Sequence, residues 1–335
     1  MFSSFRFFAS RHFILVVAVL MMACKIEQDQ SFAERIGSVS KNSGFRMDGY
    51  YVWGGSVIKV DGMYHMFASR WPSVSQFPAG YFHSSEIVHA ISKSPEGPYN
   101  FQKVVIGERD SVYWDSNMAH NPSIYKIDGH YVLFYNASDF STMRTENRPL
   151  RRVGYAVADN INGPWKRQDQ PVLNVEANNP ALLIEQDRSI KLMYRDASLR
   201  IYIASAPSLK GPYSVVNDNL WPEAKLEDFY LFKKDGNYHL ICEDNVGALT
   251  GHERWGAHLI SPNGIDRWEK HDPVIVYDHT IEYKDGSLLN CTRRERPQLL
   301  IENNEITYLF NGIYDGTHSW CQPVPLAPPI PVKNH

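Results

Sequence analysis

Asp61-Gly-Met-Tyr-His-Met-Phe67 returns as Asp128-Gly-His-Tyr-Val-Leu-Phe134 and again as Asp235-Gly-Asn-Tyr-His-Leu-Ile241. Asp-Gly between apolar runs is a hairpin signal, because the glycine takes the positive φ of a tight turn at no steric cost. Weaker copies, Asp187-Arg-Ser-Ile-Lys-Leu-Met-Tyr194 and Asn303-Asn-Glu-Ile-Thr-Tyr-Leu-Phe310, bring the count to five. Working outward, each copy follows another strand with a recurring start: Trp53-Gly-Gly-Ser, His120-Asn-Pro-Ser, Asn178-Asn-Pro-Ala, Glu227-Asp-Phe-Tyr and Glu295-Arg-Pro-Gln. Proline fits at a strand start, where its missing donor costs no ladder bond, so it marks the register. In four copies a third strand runs into Gly97-Pro-Tyr99, Gly163-Pro-Trp165, Gly211-Pro-Tyr213 or Gly264-Ile-Asp-Arg-Trp268, whose aromatic is expected to pack between units. Five strand-rich units with almost no helical periodicity predict an all-β, five-bladed β-propeller over residues 45–325, with an irregular β-sandwich as the alternative. A propeller also covers the sheet edges that would otherwise promote aggregation.

Composition agrees with a folded chain. Of 335 residues, 43% are apolar and 13% aromatic, which excludes a disordered chain. A net charge of −3 excludes nucleic-acid binding by bulk electrostatics. No Walker loop, dinucleotide fingerprint, H-E-x-x-H or EF-hand pattern is present, which disfavours nucleotide and zinc chemistry.

The ends carry different signals. Arg6, Arg11 and His12 precede the apolar run Phe13–Ala23, and Lys25, Glu27 and Asp29 follow at once, so residues 1–23 are expected to be an export signal and not a membrane span. Ala23-Cys24 resembles a bacterial lipoprotein processing site, although Met21 stands where such sites usually carry Leu, Val or Ile. The expectation is therefore a lipid on Cys24, a cell-envelope location, and contact with membrane through that lipid alone. Residues 24–44 are expected to be a polar tether and 326–335 a Pro-rich tail. Cys242, Cys291 and Cys321 form no zinc-ligand spacing; Cys242 reads as a buried hydrophobe, and Cys291 and Cys321 are either free or paired.

The hairpins, the Ser-Pro-x-Gly-Pro-Tyr closures and the acid that opens the fourth unit resemble the five-bladed propeller glycosidases, notably glycoside hydrolase family 43, over roughly residues 45–325. The resemblance implies an inverting glycosidase with a carboxylate base, a carboxylic acid and a second Asp tuning the acid, all at inner strand starts. It places the acid on Glu227. The other two positions depart from the pattern, since Gly54 stands where the family has its base and Asn179 where it has its tuning Asp. The resemblance also allows a calcium ion in the channel, although no spacing in this chain indicates a metal site or any other cofactor.

The remaining candidates follow from residue type and place. Strand alternation predicts that only one of Glu227 and Asp228 faces the channel, and Glu227 is favoured. Glu295 is a substrate ligand, the missing base, or one half of an ion pair with Arg293, Arg294 or Arg296. Asp48 is either a replacement base at the channel mouth or a hairpin Asp-Gly. His120 and Asn121 are expected to contact substrate or to hold structural hydrogen bonds, with Asp115 orienting His120. Trp53 and Asn179 share the strand-start register. Arg70, Trp71, Arg195 and Arg254 lie on loops after second strands, and with Arg296 they form either a pocket rim for an anionic sugar or Arg–Trp stacks that hold the loops. The expected activity is exo-acting hydrolysis of oligosaccharides, with an acidic or sulfated polysaccharide as the source. A uronate polysaccharide lyase and a non-catalytic glycan-binding lipoprotein are the alternatives.

Overall fold

The computed structural model describes residues 31–139, 143–144 and 148–328; the export signal, Cys24 and the last residues of the tail lie outside them. Blade one comprises strands Tyr50–Val60, Met63–Pro72, Glu86–Ser92 and Asn100–Ile106, and blade two Met118–Ile127, His130–Ser138, Arg152–Ala158 and Lys166–Arg167. Blade three is Asn178–Ile184, Ile190–Arg195, Ile201–Ala206 and Ser214–Leu220; blade four is Leu226–Lys234, Asn237–Asp244, Trp255–Ser261 and Glu269–Tyr277. Blade five has Arg293–Glu302, Glu305–Tyr314 and Ser319–Pro325. All described blade pairings are antiparallel, and the first strand of each blade lies innermost.

The turns work as their residues require. Asp61 and Gly62, Asp128 and Gly129, Asp235 and Gly236, and Asn303 and Asn304 all have positive φ, the conformation of a two-residue type I′ hairpin. Between blades, five buried clusters form the core, and Tyr99, Trp165, Tyr213 and Trp268 each join one of them, as their place after the third strand predicts.

The N-terminal boundary differs from expectation. Residues 31–44 are part of the fold rather than a tether: Phe32 and Val39 are buried in the cluster between blades four and five. Arg35 is buried and donates to the Ile306 and Ala327 carbonyls. Ile36 and Phe45 bridge to Leu326 and Cys321, so this segment covers the outer edge of blade five. A few scattered apolar residues, Phe32, Ile36 and Val39, in a polar stretch carry too weak a pattern to reveal this. The three described cysteines are free and buried, so Cys291 and Cys321 do not pair.

Each inner strand is interrupted at the same place. The ladder skips between Trp53 and Ser56, His120 and Ser123, Asn178 and Ala181, Glu227 and Tyr230, and Glu295 and Gln298. In every case the residue after the first named one has a positive φ: Gly54, Asn121, Asn179, Asp228 and Arg296. Pro122, Pro180 and Pro297 sit inside these bulges, where no ladder bond is lost.

Candidate active site

A bulge brings two neighbouring side chains to one side of a strand, which plain alternation forbids. Glu227 and Asp228 therefore both line one cavity of about 130 Å³ at the channel mouth, contrary to the expectation that only one would. Trp53, His120, Asn121, Asn178, Asn179 and Glu295 reach it from the other strand starts, and Trp71 and Arg195 from the ends of second strands. Arg293 and a blade-one loop carrying Phe77, Pro78 and Tyr81 complete the lining. Phe77 lies over Tyr314 with ring centroids 3.8 Å apart and stacks on Trp71 at 5.8 Å, while Tyr81 stacks on His120 at 4.3 Å. One side of the cavity is thus a wall of flat apolar rings.

The other side is a charge network. Glu227 forms an ion pair with Arg195 and accepts from the Asn179 amide at 3.4 Å. The Arg254 Nη1 stands between Glu243 and Glu295, at 2.7 and 2.9 Å, and Arg293 donates to Glu295 at 3.1 Å. Asp228, Glu243 and Glu295 offer oxygens within 4.8 Å of one another. Like charges that close cannot all persist in a buried site.

Their environments separate the four carboxyls. Burial pushes Glu227 up, but Arg195, the Asn245 amide and Arg254 outweigh it and hold the group below the ordinary carboxylate range. Burial and the Glu227 charge raise Asp228 to about 7, against the opposing pull of Arg296. Burial, then Glu295 and Glu227, push Glu243 well up; Glu295 is raised by burial despite Arg293 and Arg254. The raised carboxyl that the sequence places at Glu227 is therefore next door, on Asp228. His120 is buried, with its Nδ1 2.8 Å from the Ser85 hydroxyl, and burial with Arg296 and Arg151 holds it neutral.

Several expected residues lie elsewhere. Asp48 is exposed in the turn Asp48-Gly49 and does not line the cavity. Arg70 does not line the cavity; it pairs with Glu86 at 2.7 Å and lies over the Tyr50 and Phe101 rings rather than over a tryptophan. Arg254 holds carboxylates from behind, and Arg296 is fully buried in the channel below. Asp115 orients no histidine; it pairs with Arg109 and accepts from the Tyr135 hydroxyl at 2.7 Å. Sequence reasoning missed Glu243, Phe77 and Tyr81. Glu243 was within reach, since extending the hairpin ladder from Asp235-Gly236 sets it opposite Glu227.

Oxygen-rich clusters suit calcium, but the residues present do not fit one. Arg254 already occupies the space between Glu243 and Glu295, and the Arg296 guanidinium fills the channel. A larger groove of about 830 Å³ lies between blades two and three, beside the Asp128-Gly129 turn and away from the carboxyl network.

No family model and no curated relative matches the sequence. Solved structures do match in fold. A thermostable family-43 glycoside hydrolase aligns with a TM-score of 0.62 and 11% identity over 86% of this chain and 92% of its own. A family-43 β-xylosidase/α-arabinofuranosidase from a compost microbial metagenome, in complex with xylotriose in a calcium-free form, gives 0.59 and 15% over 89% and 93%. A family 117 glycoside hydrolase of the marine bacterium Zobellia galactanivorans gives 0.62 and 14% over 89% and 91%. The chain thus shares the five-bladed propeller of these glycosidases.

Carboxyls held protonated by burial make folding pH-dependent. An unfolded Glu243 ionises near 4.5, whereas the folded one keeps its proton well above that, so its contribution opposes folding increasingly as pH rises from there. Glu243→Gln mimics the neutral acid. Urea unfolding should find this variant more stable than wild type at alkaline pH, by about 1.4 kcal/mol for each unit of elevation removed, with the difference vanishing toward acid pH. Parallel pH profiles would show that Glu243 is ionised in the fold.

Proposed function

We propose that the chain is an exported, lipid-anchored glycoside hydrolase that removes single sugars from the ends of oligosaccharides, drawn from an acidic or sulfated polysaccharide. The observation that carries this is one small cavity holding both an ionised carboxylate, Glu227, and a carboxyl poised near neutrality, Asp228, opposite an aromatic wall. Glycoside hydrolysis needs such a pair in two protonation states. The glycosidases that share the fold, one of them bound to xylotriose, support the same chemistry. At about 130 Å³ the cavity is well below the roughly 300–1,000 Å³ of pockets for drug-sized ligands, which favours a single terminal ring over a long chain.

In this reading Asp228, not Glu227, donates the proton to the glycosidic oxygen as the bond to the anomeric carbon breaks. Glu227, kept ionised by Arg195, counters the positive charge that develops on the sugar. Water then adds at the anomeric carbon, and its surplus proton restores Asp228. The rings of Trp53, Trp71 and Phe77 offer apolar faces for the pyranose. With Asp228 and Glu243 protonated, Arg195, Arg254, Arg293 and Arg296 outnumber the remaining charged carboxylates, Glu227 and Glu295, so the cavity attracts an anionic group. Arg293, with 29% of its side chain exposed, is the guanidinium best placed to meet it.

Purified protein incubated with acidic and neutral oligosaccharides should release one sugar at a time, seen by mass spectrometry. Activity should fall as pH rises through about 7, where Asp228 loses its proton. Asp228→Asn should lower kcat by about 10²- to 10⁴-fold on natural linkages and far less on activated leaving groups. If that leaving-group dependence appears in Glu227→Gln instead, the acid is Glu227.

For the anchor, Cys24→Ser should move the protein from the membrane fraction to the soluble one. An unchanged distribution would remove the lipid from the account.

A further inference from the structure

Arg296 is the one arginine among the described residues that stands at the bulge of an inner strand. Its backbone takes φ 54 at the blade-five bulge, a region that side chains as large as Arg rarely enter, and the whole residue is 0% exposed. The guanidinium Nη2 donates to the Asn121 carbonyl at 3.1 Å, the Ser123 hydroxyl at 3.2 Å and the Pro180 carbonyl at 3.4 Å. Nη1 lies 3.8 Å from the Asp228 carboxylate, whose other oxygen accepts from the Arg296 backbone N–H at 3.1 Å. Blades two, three and four therefore supply the oxygens, and blade five supplies the cation. Blade one makes room: a Cβ on Gly54 would lie 3.1 Å from the Arg296 Cγ and 3.3 Å from the Asn121 Oδ1.

Two carbonyls, a hydroxyl and a carboxylate are hard oxygen donors, the set that calcium takes in proteins. The planar guanidinium fits this cage imperfectly, since its Nε and Nη1 are buried without a hydrogen-bond partner. We propose that Arg296 is a built-in channel cation, holding through its side chain a position that a free divalent ion would otherwise occupy, and that shortening it opens a calcium site in the same oxygen cage. Gly54 suits the same arrangement, because a Cβ there would press on the Arg296 Cγ at 3.1 Å and its φ of 62 favours glycine.

Thermal unfolding and calorimetry with calcium chloride test this without any substrate. Wild type should show no heat of calcium binding and no change in Tm on adding calcium or EDTA. Arg296→Asn suits the left-handed backbone and removes the cation. It should unfold at lower temperature in EDTA and recover by roughly 5 °C or more in saturating calcium, about what a well-bound ligand gives a chain of this size. Magnesium should restore less, because it demands a smaller octahedral shell. Arg296→Gly serves as a second variant if the Asn one does not fold. Calcium binding by wild type, a Tm that drops on chelation, or a truncated variant that folds yet is indifferent to calcium would each overturn the proposal. If neither variant folds, the wild-type measurements alone decide: silence toward calcium and EDTA supports the proposal, and a response refutes it.

Discussion

The first strands of the five blades meet around one side chain, the Arg296 guanidinium, which lies within reach of every other blade. Much else is a consequence of that placement. The repeated bulge turns one residue per inner strand toward the axis, and what stands there must be small, hydrogen-bonded or charge-matched. Gly54 yields space, Asn121 and Asn179 bond each other at 2.8 Å, and Asp228 faces the cation. The residue before each bulge residue is left free to look outward into the cavity. One backbone irregularity, repeated five times, thus sets a structural layer at the axis beside a chemical one at the cavity, and Asp228 belongs to both.

The chemical layer depends on unequal neighbours. Glu227 and Asp228 are adjacent in the chain and share a cavity, yet Arg195 fixes the charge on the first while burial and that same charge favour a proton on the second. Glu243, fully buried with one oxygen unpartnered, withholds its own charge and keeps the cluster from becoming a simple salt-bridge lattice. Such an arrangement costs folding energy, since each retained proton opposes folding at neutral pH. Sites of this kind are where a protein keeps strain that serves function.

The architecture was legible because its signals are local. Asp61-Gly62, Asp128-Gly129 and Asp235-Gly236 each dictate a hairpin within two residues, and counting back from them and from the weaker turns Asp187-Arg188 and Asn303-Asn304 aligns Trp53, His120, Asn178, Glu227 and Glu295. The site was legible only as a set of positions. Which of the two carboxyls keeps a proton depends on Arg195, at the end of a blade-three strand, and on Arg296, on blade five. The bulge also cancels the strand alternation from which Glu227 was preferred over Asp228. Phe77 and Tyr81 come from a loop with no repeat to align, and Phe32 and Val39 find their partners only when the chain ends meet at blade five.

The central claim is that a proton rests on Asp228, beside an ionised Glu227. Difference infrared spectroscopy of the carboxyl stretch, recorded across a pH titration of the intact protein, reads it directly. Two carboxyls should keep their protons above the ordinary carboxylate range: one on Glu243, and one that loses its proton around pH 7 and is missing from Asp228→Asn. A titrating band that remains in Asp228→Asn and vanishes in Glu227→Gln would contradict the account.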